Sequence, residues 1–384
     1  MSVHTAWIHW DPNPVLFILP WVNKPVVWYG VLFALGFYCA YVLMLHLTER
    51  YFYSVTSFTR ADVQDWDLFR EDICYKREGY IILSELSKST KNDLLNERVW
   101  TDEMKDEVIS ALNSTFREGE LYVRGVQKRE LSLADQYAEK RNEVVHRLSL
   151  ERQFLGVFFS FKERAKKFVD SLFTYVFLGT LIGARLGHLF FYRSPKDYLS
   201  DPYQFIAVWE GGLASHGAVI GIIVSLLLFM AKERSYSLLR LIDFICAPVA
   251  LCAVFIRIGN FCNQEIIGIP TSVPWAIIFG HPMDGGAVLP RHPVQLYEAI
   301  TYFVVLMVLM GGWKNRWFLK EGRLAGLFFM GVFGSRFFLE FFKETLGVWD
   351  GTLSLMTGQL LSIPIAIIGC LLLFWKRKER KRFL

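Results

Sequence analysis

Seven stretches of this chain are each about 20 residues long and mostly apolar, at 26–47, 168–192, 212–231, 239–258, 293–312, 323–342 and 355–375. A bilayer core is about 30 Å thick, and a helix needs roughly 20 apolar residues to cross it. Lipid offers no partners for backbone N–H and C=O groups, so such segments must be helical. The composition agrees: 53% of residues are hydrophobic, with 33 Phe, 16 Tyr and 12 Trp. The expected fold class is therefore an all-α polytopic membrane protein with seven transmembrane helices. The N-terminus lacks a basic leader, and "WVNKPVVWYGVLFALGF" is followed by no small-residue cleavage site, so no cleavable signal peptide is expected. The six cysteines have no metal-like spacing, which leaves neither a zinc site nor a disulfide framework to expect. The formal charge of +5 is modest, and nothing in it calls for a nucleic-acid partner.

Where the charge lies is more informative than its size. The tail "WKRKERKRFL", the link "WKNRWFLKEGR" and the link "AKERSYSLLR" are basic, while the alternate connections are poor in Lys and Arg. The positive-inside rule then places the C-terminus in the cytoplasm and the N-terminus outside, as an odd number of spans requires. The expected division is 1–47 for the N-terminal segment and first helix, 48–167 for a charged, soluble cytoplasmic insert, 168–375 for the remaining six helices, and 376–384 for a basic cytoplasmic tail. Within the insert, "LADQYAEKRNEVVHRL" has helical spacing and "REGYIILSEL" reads as a strand. The run "QFLGVFFSFKERAKK" mixes aromatics with cations in the manner of a helix lying on an anionic leaflet.

Ionisable groups inside spans are costly and mark candidate functional positions. Here they fall at one depth: Tyr29, Arg185 with His188, His216, Arg257 with Asn260, the group His292, Gln295 and Glu298, Arg336 with Glu340, and Gln359 with Ser362. With the orientation above, all lie in the outer half of the membrane, which implies one polar cavity near the outer leaflet. Arg257, Asn260 and Gln264 share a helix face by spacing, as do Arg336, Glu340 and Lys343. Gly217 and Gly221 form G-x-x-x-G, and Gly183 and Gly187 bracket Arg185, which lets helix backbones approach closely. Plainer readings exist for single residues: Arg185 as a helix–helix ion pair, Tyr29 as an interfacial aromatic, and Asn260 as a helix–helix hydrogen bond. Two arginines at one depth point instead to a bound phosphodiester or dianion.

The motifs "WYGVLFALGF", "GARLGHLFFY", "WEGGLASHGAVIG", "RIGNFCNQEIIG", "RHPVQLYE", "GSRFFLEFFKE" and "GQLLSIPI" resemble those of bacterial prolipoprotein diacylglyceryl transferases, over all seven spans and in order. The insert lies outside the resemblance. Ile256, Gln264 and Ala184 stand where the family usually has Gly, and Lys343 where Arg is more usual. The resemblance implies a multi-pass protein of the bacterial inner membrane. It implies transfer of the diacylglyceryl group of phosphatidylglycerol to the lipobox cysteine of a prolipoprotein signal peptide, within membrane lipids and without metal or cofactor. The product is a thioether, and glycerol 1-phosphate is released. It also implies a functional set of Tyr29, His216, Arg257, Asn260, Glu265, Gly268, Arg336 and Glu340, to which Arg185 is added here.

A thiol of ordinary pKa is only slightly ionised at neutral pH, so a base beside it accelerates attack. His216, flanked by small residues, is the expected base; Arg257 is the alternative considered within the family. Arg257 and Arg336 are expected to grip the phosphate and stabilise the leaving group without losing their protons. Glu265, Glu298 and Glu340 are expected to orient the arginines or meet glycerol hydroxyls. A competing function is transport of an anionic lipid or metabolite, but the chain shows no internal repeat.

Overall fold

The computed structural model describes residues 7–20, 24–54, 58–76, 79–96, 98–124, 154–192, 214–283, 285–344 and 357–374. The segment "LADQYAEKRNEVVHRL" and the basic tail lie outside the described residues. Among the described residues eleven helices dominate. They are α1 (Trp28–Ser54), α2 (Trp66–Tyr75), α3 (Gly79–Glu85), α4 (Lys88–Leu95), α5 (Asp102–Arg124), α6 (Phe161–Tyr192), α7 (Ser215–Lys232), α8 (Leu238–Cys262), α9 (Val294–Lys314), α10 (Arg323–Leu339) and α11 (Thr357–Phe374). The described residues of Met1–Met44 and Tyr175–Lys378 form one compact unit, and those of Leu45–Thr174 another.

Among the described residues five helices are long and apolar enough to cross a membrane: Trp28–Phe52, Phe161–Phe190, Leu238–Cys262, Val294–Lys314 and Arg323–Phe342. His216–Lys232 and Gly358–Phe374 are shorter apolar helices. Only 17–56% of the long apolar windows is buried within the protein, so their remaining apolar surface needs lipid rather than water. The outward faces carry bulky apolar residues, such as Ile220, Ile223 and Leu227 on α7 and Phe303, Val304 and Met307 on α9. The chain is a polytopic membrane protein.

In the membrane unit, α8, α9 and α10 pack side by side and α11 packs on α10. Small residues set the closest approaches. On α6 and α7 a β-carbon on Gly217 would lie 2.1 Å from the Gly183 carbonyl oxygen, and one on Gly183 would lie 2.8 Å from the Gly221 Cα. The two backbones touch along this seam, as the glycine spacing implies. At one end of the bundle, buried Asp243 on α8 accepts the amides of Gly322 and Ala325, both at 2.8 Å, and so satisfies the first turn of α10. Arg240 adds a bond to the Phe318 carbonyl and an ion pair to Glu321 at 3.6 Å. The opposite end of the same bundle carries the polar site.

Two small sheets were not foreseen in the sequence. In one, β1 (Ile8–Trp10) runs parallel to β4 (Ile277–Phe279), which pairs antiparallel with β5 (Pro290–Arg291). In the other, β2 (Val15–Leu19) pairs with β3 (Lys24–Val27), which leads directly into α1. Three-residue strands that pair across more than 260 residues leave no local periodicity to read. Trp10 closes the first sheet over the end of α8, stacking on Phe261 at 4.6 Å and donating Nε1–H to the Phe261 carbonyl at 3.1 Å.

The insert is helical with its own core, which includes Phe69, Ile73, Ile82, Val108, Leu112 and Phe158. Its "REGYIILSEL" stretch is helix α3, not a strand. Ile82 and Leu86, four apart, both face the core, while Tyr80 and Ile81 are exposed. The closest approach belongs to Gly79, where a β-carbon would meet the Asp72 carbonyl oxygen at 2.2 Å. The run "QFLGVFFSFKERAKK" does not lie along a surface as expected. Phe154, Val157 and Phe158 are buried in the insert core, Val63 bridges Phe158, and Ser160 with Glu163 forms a reciprocal cap at the start of α6. Arg164 is buried against Asp62 and over the Phe52 ring at 4.0 Å.

Candidate active site

The site is built where α8 ends, α9 begins and α10 ends. These three ends come together because the helices alternate in direction. Arg257 lies in the last two turns of α8. Its Nε–H meets Glu298 Oε2 at 2.9 Å, and Nη1 donates to Asn260 Oδ1 at 3.2 Å. Tyr302, one turn beyond Glu298 on α9, interacts electrostatically with the same guanidinium. Arg336 on α10 interacts electrostatically with Glu298 and with Tyr302. The two arginines therefore flank one buried carboxylate from separate helices.

Beyond Cys262 the chain leaves the helix and folds back. Gln264 and Ile266 take left-handed φ values of 56° and 54°, costly for side-chain residues and worse for a β-branched one. Between them, Glu265 returns to α8. Its Oε2 accepts from Asn260 Nδ2 at 2.8 Å and its Oε1 from Asn263 Nδ2 at 3.1 Å. Gln295 Nε2, on α9, holds the Glu265 carbonyl at 2.7 Å. Tyr29 opens α1 against this group: it interacts electrostatically with Glu265 and Arg257, and its ring lies where a β-carbon on Gly259 would stand, at 3.0 Å.

Gly268 lies where two neighbouring segments cross. A β-carbon there would be 2.3 Å from the His292 carbonyl oxygen, its own carbonyl accepts from Arg291 Nη1 at 3.1 Å, and it bridges Lys343. Ile269 N donates to the Phe342 carbonyl at 2.9 Å, so the signature loop and the end of α10 form one fabric. Lys343 Nζ is shared between Glu298 Oε1 at 2.9 Å and Glu340 Oε2 at 3.1 Å. Glu340 in turn sits against the start of α11, where a β-carbon on Gly358 would strike its carboxylate at 2.1 Å. Negative charge at a helix N-terminus is favourable.

The chain matches the family described as prolipoprotein diacylglyceryl transferase over residues 149–375. It is 34% identical to the phosphatidylglycerol–prolipoprotein diacylglyceryl transferase of Protochlamydia amoebophila, over 98% of this chain and 97% of that one. The chain belongs to the prolipoprotein diacylglyceryl transferase family. Other similar members come from Chloroherpeton thalassium, 46% identical over 58% of this chain and 81% of that one, and Tolumonas auensis, 41% identical over 56% and 81%. Most of the insert, 48–148, lies outside the family match, whereas the Protochlamydia transferase aligns along nearly the whole chain, insert included.

Of the residues expected to matter in a prolipoprotein diacylglyceryl transferase, the structure joins Tyr29, Arg257, Asn260, Glu265, Gly268, Arg336 and Glu340 into one connected network. His216 is exposed in the first turn of α7, and among the described residues no hydrogen bond or ion pair ties it to the network. Arg185 is buried on α6, one residue from Ala184, whose carbonyl accepts the Ala214 amide at 2.9 Å just before α7 begins. Two helix-face expectations are corrected. Gln264 does not continue the face of Arg257, because α8 ends at Cys262; its side chain instead accepts the His281 amide at 2.7 Å and reaches Asp11 at 3.5 Å. Lys343 is not on α10, which ends at Leu339 and gives way to a 3-10 turn at Glu340–Phe342. Tyr302 was not singled out in the sequence, although its spacing of four from Glu298 puts both on one face of α9. Asp11, outside the spans, has its carboxyl held below the usual range by the hydrogen bond to His281, against a small opposing effect of burial.

Proposed function

We propose that this protein transfers the diacylglyceryl group of phosphatidylglycerol to the lipobox cysteine thiol of prolipoproteins, the first step of lipoprotein maturation. Sulfur attacks the glycerol carbon that bears the phosphate, the carbon–oxygen bond breaks, and glycerol 1-phosphate leaves with the bonding electron pair. The observation that carries this reading is the pair Arg257 and Arg336, presented by separate helices around Glu298 at one end of the bundle. Guanidiniums suit a phosphodiester because each offers a planar fork of donors that never loses its charge. As the carbon–oxygen bond breaks, charge grows on the departing phosphate oxygen, where these same groups stabilise it. His216 takes the thiol proton. Tyr29, Asn260, Glu265, Gly268, Glu340 and Arg185 complete the phosphatidylglycerol site, with Glu265 accepting from the glycerol hydroxyls.

Seven helices span the inner membrane in this reading, α7 and α11 included, with the N-terminus outside. The basic residues Arg240, Lys314, Arg316, Lys320 and Arg323 all lie at the end of α8, α9 and α10 opposite Arg257 and Arg336. The positive-inside rule assigns that end to the cytoplasm and the site to the outer leaflet. The insert between α1 and α6 is then cytoplasmic.

The test mixes purified protein, phosphatidylglycerol and a lipobox peptide. The expected result is a diacylglyceryl mass gain on the peptide that is absent when its cysteine is replaced by serine. No gain with the cysteine peptide overturns the function. His216→Ala is expected to lose transfer while still binding phosphatidylglycerol, and near-normal rates across a pH series would remove His216 from the role of base.

A further inference from the structure

Glu298 is completely buried, yet it touches two cations from different elements: Arg257 of α8 on Oε2 and Lys343, beyond α10, on Oε1, both at 2.9 Å. A buried carboxylate with a single partner satisfies that partner and little else; one shared by two cations fixes both. We propose that Glu298 and Lys343 act together as positioning residues for Arg257, a reading that rests on Arg257 serving the phosphate as described above.

The geometry gives each a distinct part. Glu298 engages the Nε edge of the guanidinium. Asn260 takes one N–H of Nη1 while Glu298 meets the Nε edge as an ion pair, and terminal N–H groups of the fork remain for a ligand. Nε is the hinge about which the guanidinium swings, so an ion pair at that edge biases the direction of both terminal nitrogens. Lys343 keeps Glu298 from following Arg257. Its backbone is pinned by the bridge to Gly268 and by the bond from its amide to the Glu340 carbonyl at 3.1 Å, and its Nζ is held between Glu298 and Glu340. A lysine suffices here because two carboxylates approach it from different directions, which asks for a point charge with rotating donors rather than a planar fork.

The charges make a prediction that a packing role does not share. Arg257, Lys343 and Arg336 face Glu298, Glu340 and Glu265, so the group is balanced before the lipid arrives. Neutralising Glu298 leaves one excess positive charge. Ground-state binding of an anionic lipid then holds or tightens, while the unfixed guanidinium stabilises the transition state less well.

The experiment measures kcat and KM for phosphatidylglycerol with the full-length protein in lipid nanodiscs and a lipobox peptide, normalised to folded protein. Glu298→Gln is expected to lower kcat about tenfold or more, with KM unchanged or reduced. Lys343→Met is expected to lower kcat in the same sense, and the double variant is expected to be no slower than the slower single one. A folded Glu298→Gln enzyme with kcat within about twofold of wild type overturns the proposal, as does a loss confined to a raised KM, or single losses that multiply in the double variant. If Glu298→Gln does not fold, Glu298→Asp keeps the charge but withdraws it by one methylene. It is expected to show the same kcat loss, and a wild-type kcat overturns the proposal. Arg257→Ala is measured alongside. Inactive Arg257→Ala with fully active Glu298→Gln rejects the positioning role alone; active Arg257→Ala rejects the reading of Arg257 on which it depends.

Discussion

Arg336 and Lys343 lie within one short stretch and carry the same charge, but the work proposed for them differs. Lys343 meets two carboxylates as a point charge, whereas Arg336 is assigned to a phosphate that two parallel donors fit better. Arg336→Lys is therefore expected to cut transfer about a hundredfold, read as kcat/KM on the lipobox peptide; equal rates would remove the need for a fork. Gln264 illustrates what a motif conceals. Its left-handed φ of 56° explains why glycine suits that position, yet its side chain also straps the His281 amide. Gln264→Ala keeps the backbone cost and loses the strap, while Gln264→Gly loses the strap but relieves the backbone by about 1 kcal/mol. Melting in detergent should rank the glycine variant above the alanine variant. The gathering of Arg257, Asn260, Arg336 and Glu340 was legible because ionisable and amide groups are conspicuous in apolar spans, while Glu265 entered the set through the family resemblance. Gln264's contacts were not, because a helix-face argument presumes a helix that here ends two residues earlier.

Helices were the most readable elements. The apolar runs locate α8, α9 and α10 to within four residues and α1 and α6 to within seven, since lipid imposes a minimum length on each. The glycine spacing on α6 and α7 also translated directly into contact. Because the Gly183 carbonyl occupies the space that a side chain on Gly217 would need, Gly217→Val is expected to force the helices apart. The loss should exceed about 2 kcal/mol, seen as a fall in melting temperature and in yield from membranes. An unchanged melting temperature would mean that the seam is not needed for stability. Strands β1 and β4 were illegible for the opposite reason: they pair across more than 260 residues, and a three-residue strand has no period. Helix α3 misled because "YIIL" is rich in residues that also favour strands, and only its packing on α2 decides the matter.

For the molecule as a whole, every residue of the connected network lies in the unit formed by Met1–Met44 and Tyr175–Lys378, and none in the insert. The Chloroherpeton transferase aligns over 81% of its own length with only 58% of this chain, so members of the family dispense with most of this additional sequence. Replacing 58–153 by a flexible Gly/Ser linker is expected to leave the transfer rate within about threefold, measured on reconstituted protein; loss of transfer by a folded variant would give the insert a part in the reaction. The polypeptide also constrains the lipid around it. Helix α7 is bounded by non-helical Ala214 and by Glu233, and its 18 residues reach only about 27 Å. That is a little less than the thickness of an average hydrocarbon layer. In the proposed seven-span arrangement α7 then has no spare length for tilt, the bilayer beside it would thin to match, and headgroups would be drawn toward the helix end that bears His216, setting the proposed base at the water boundary.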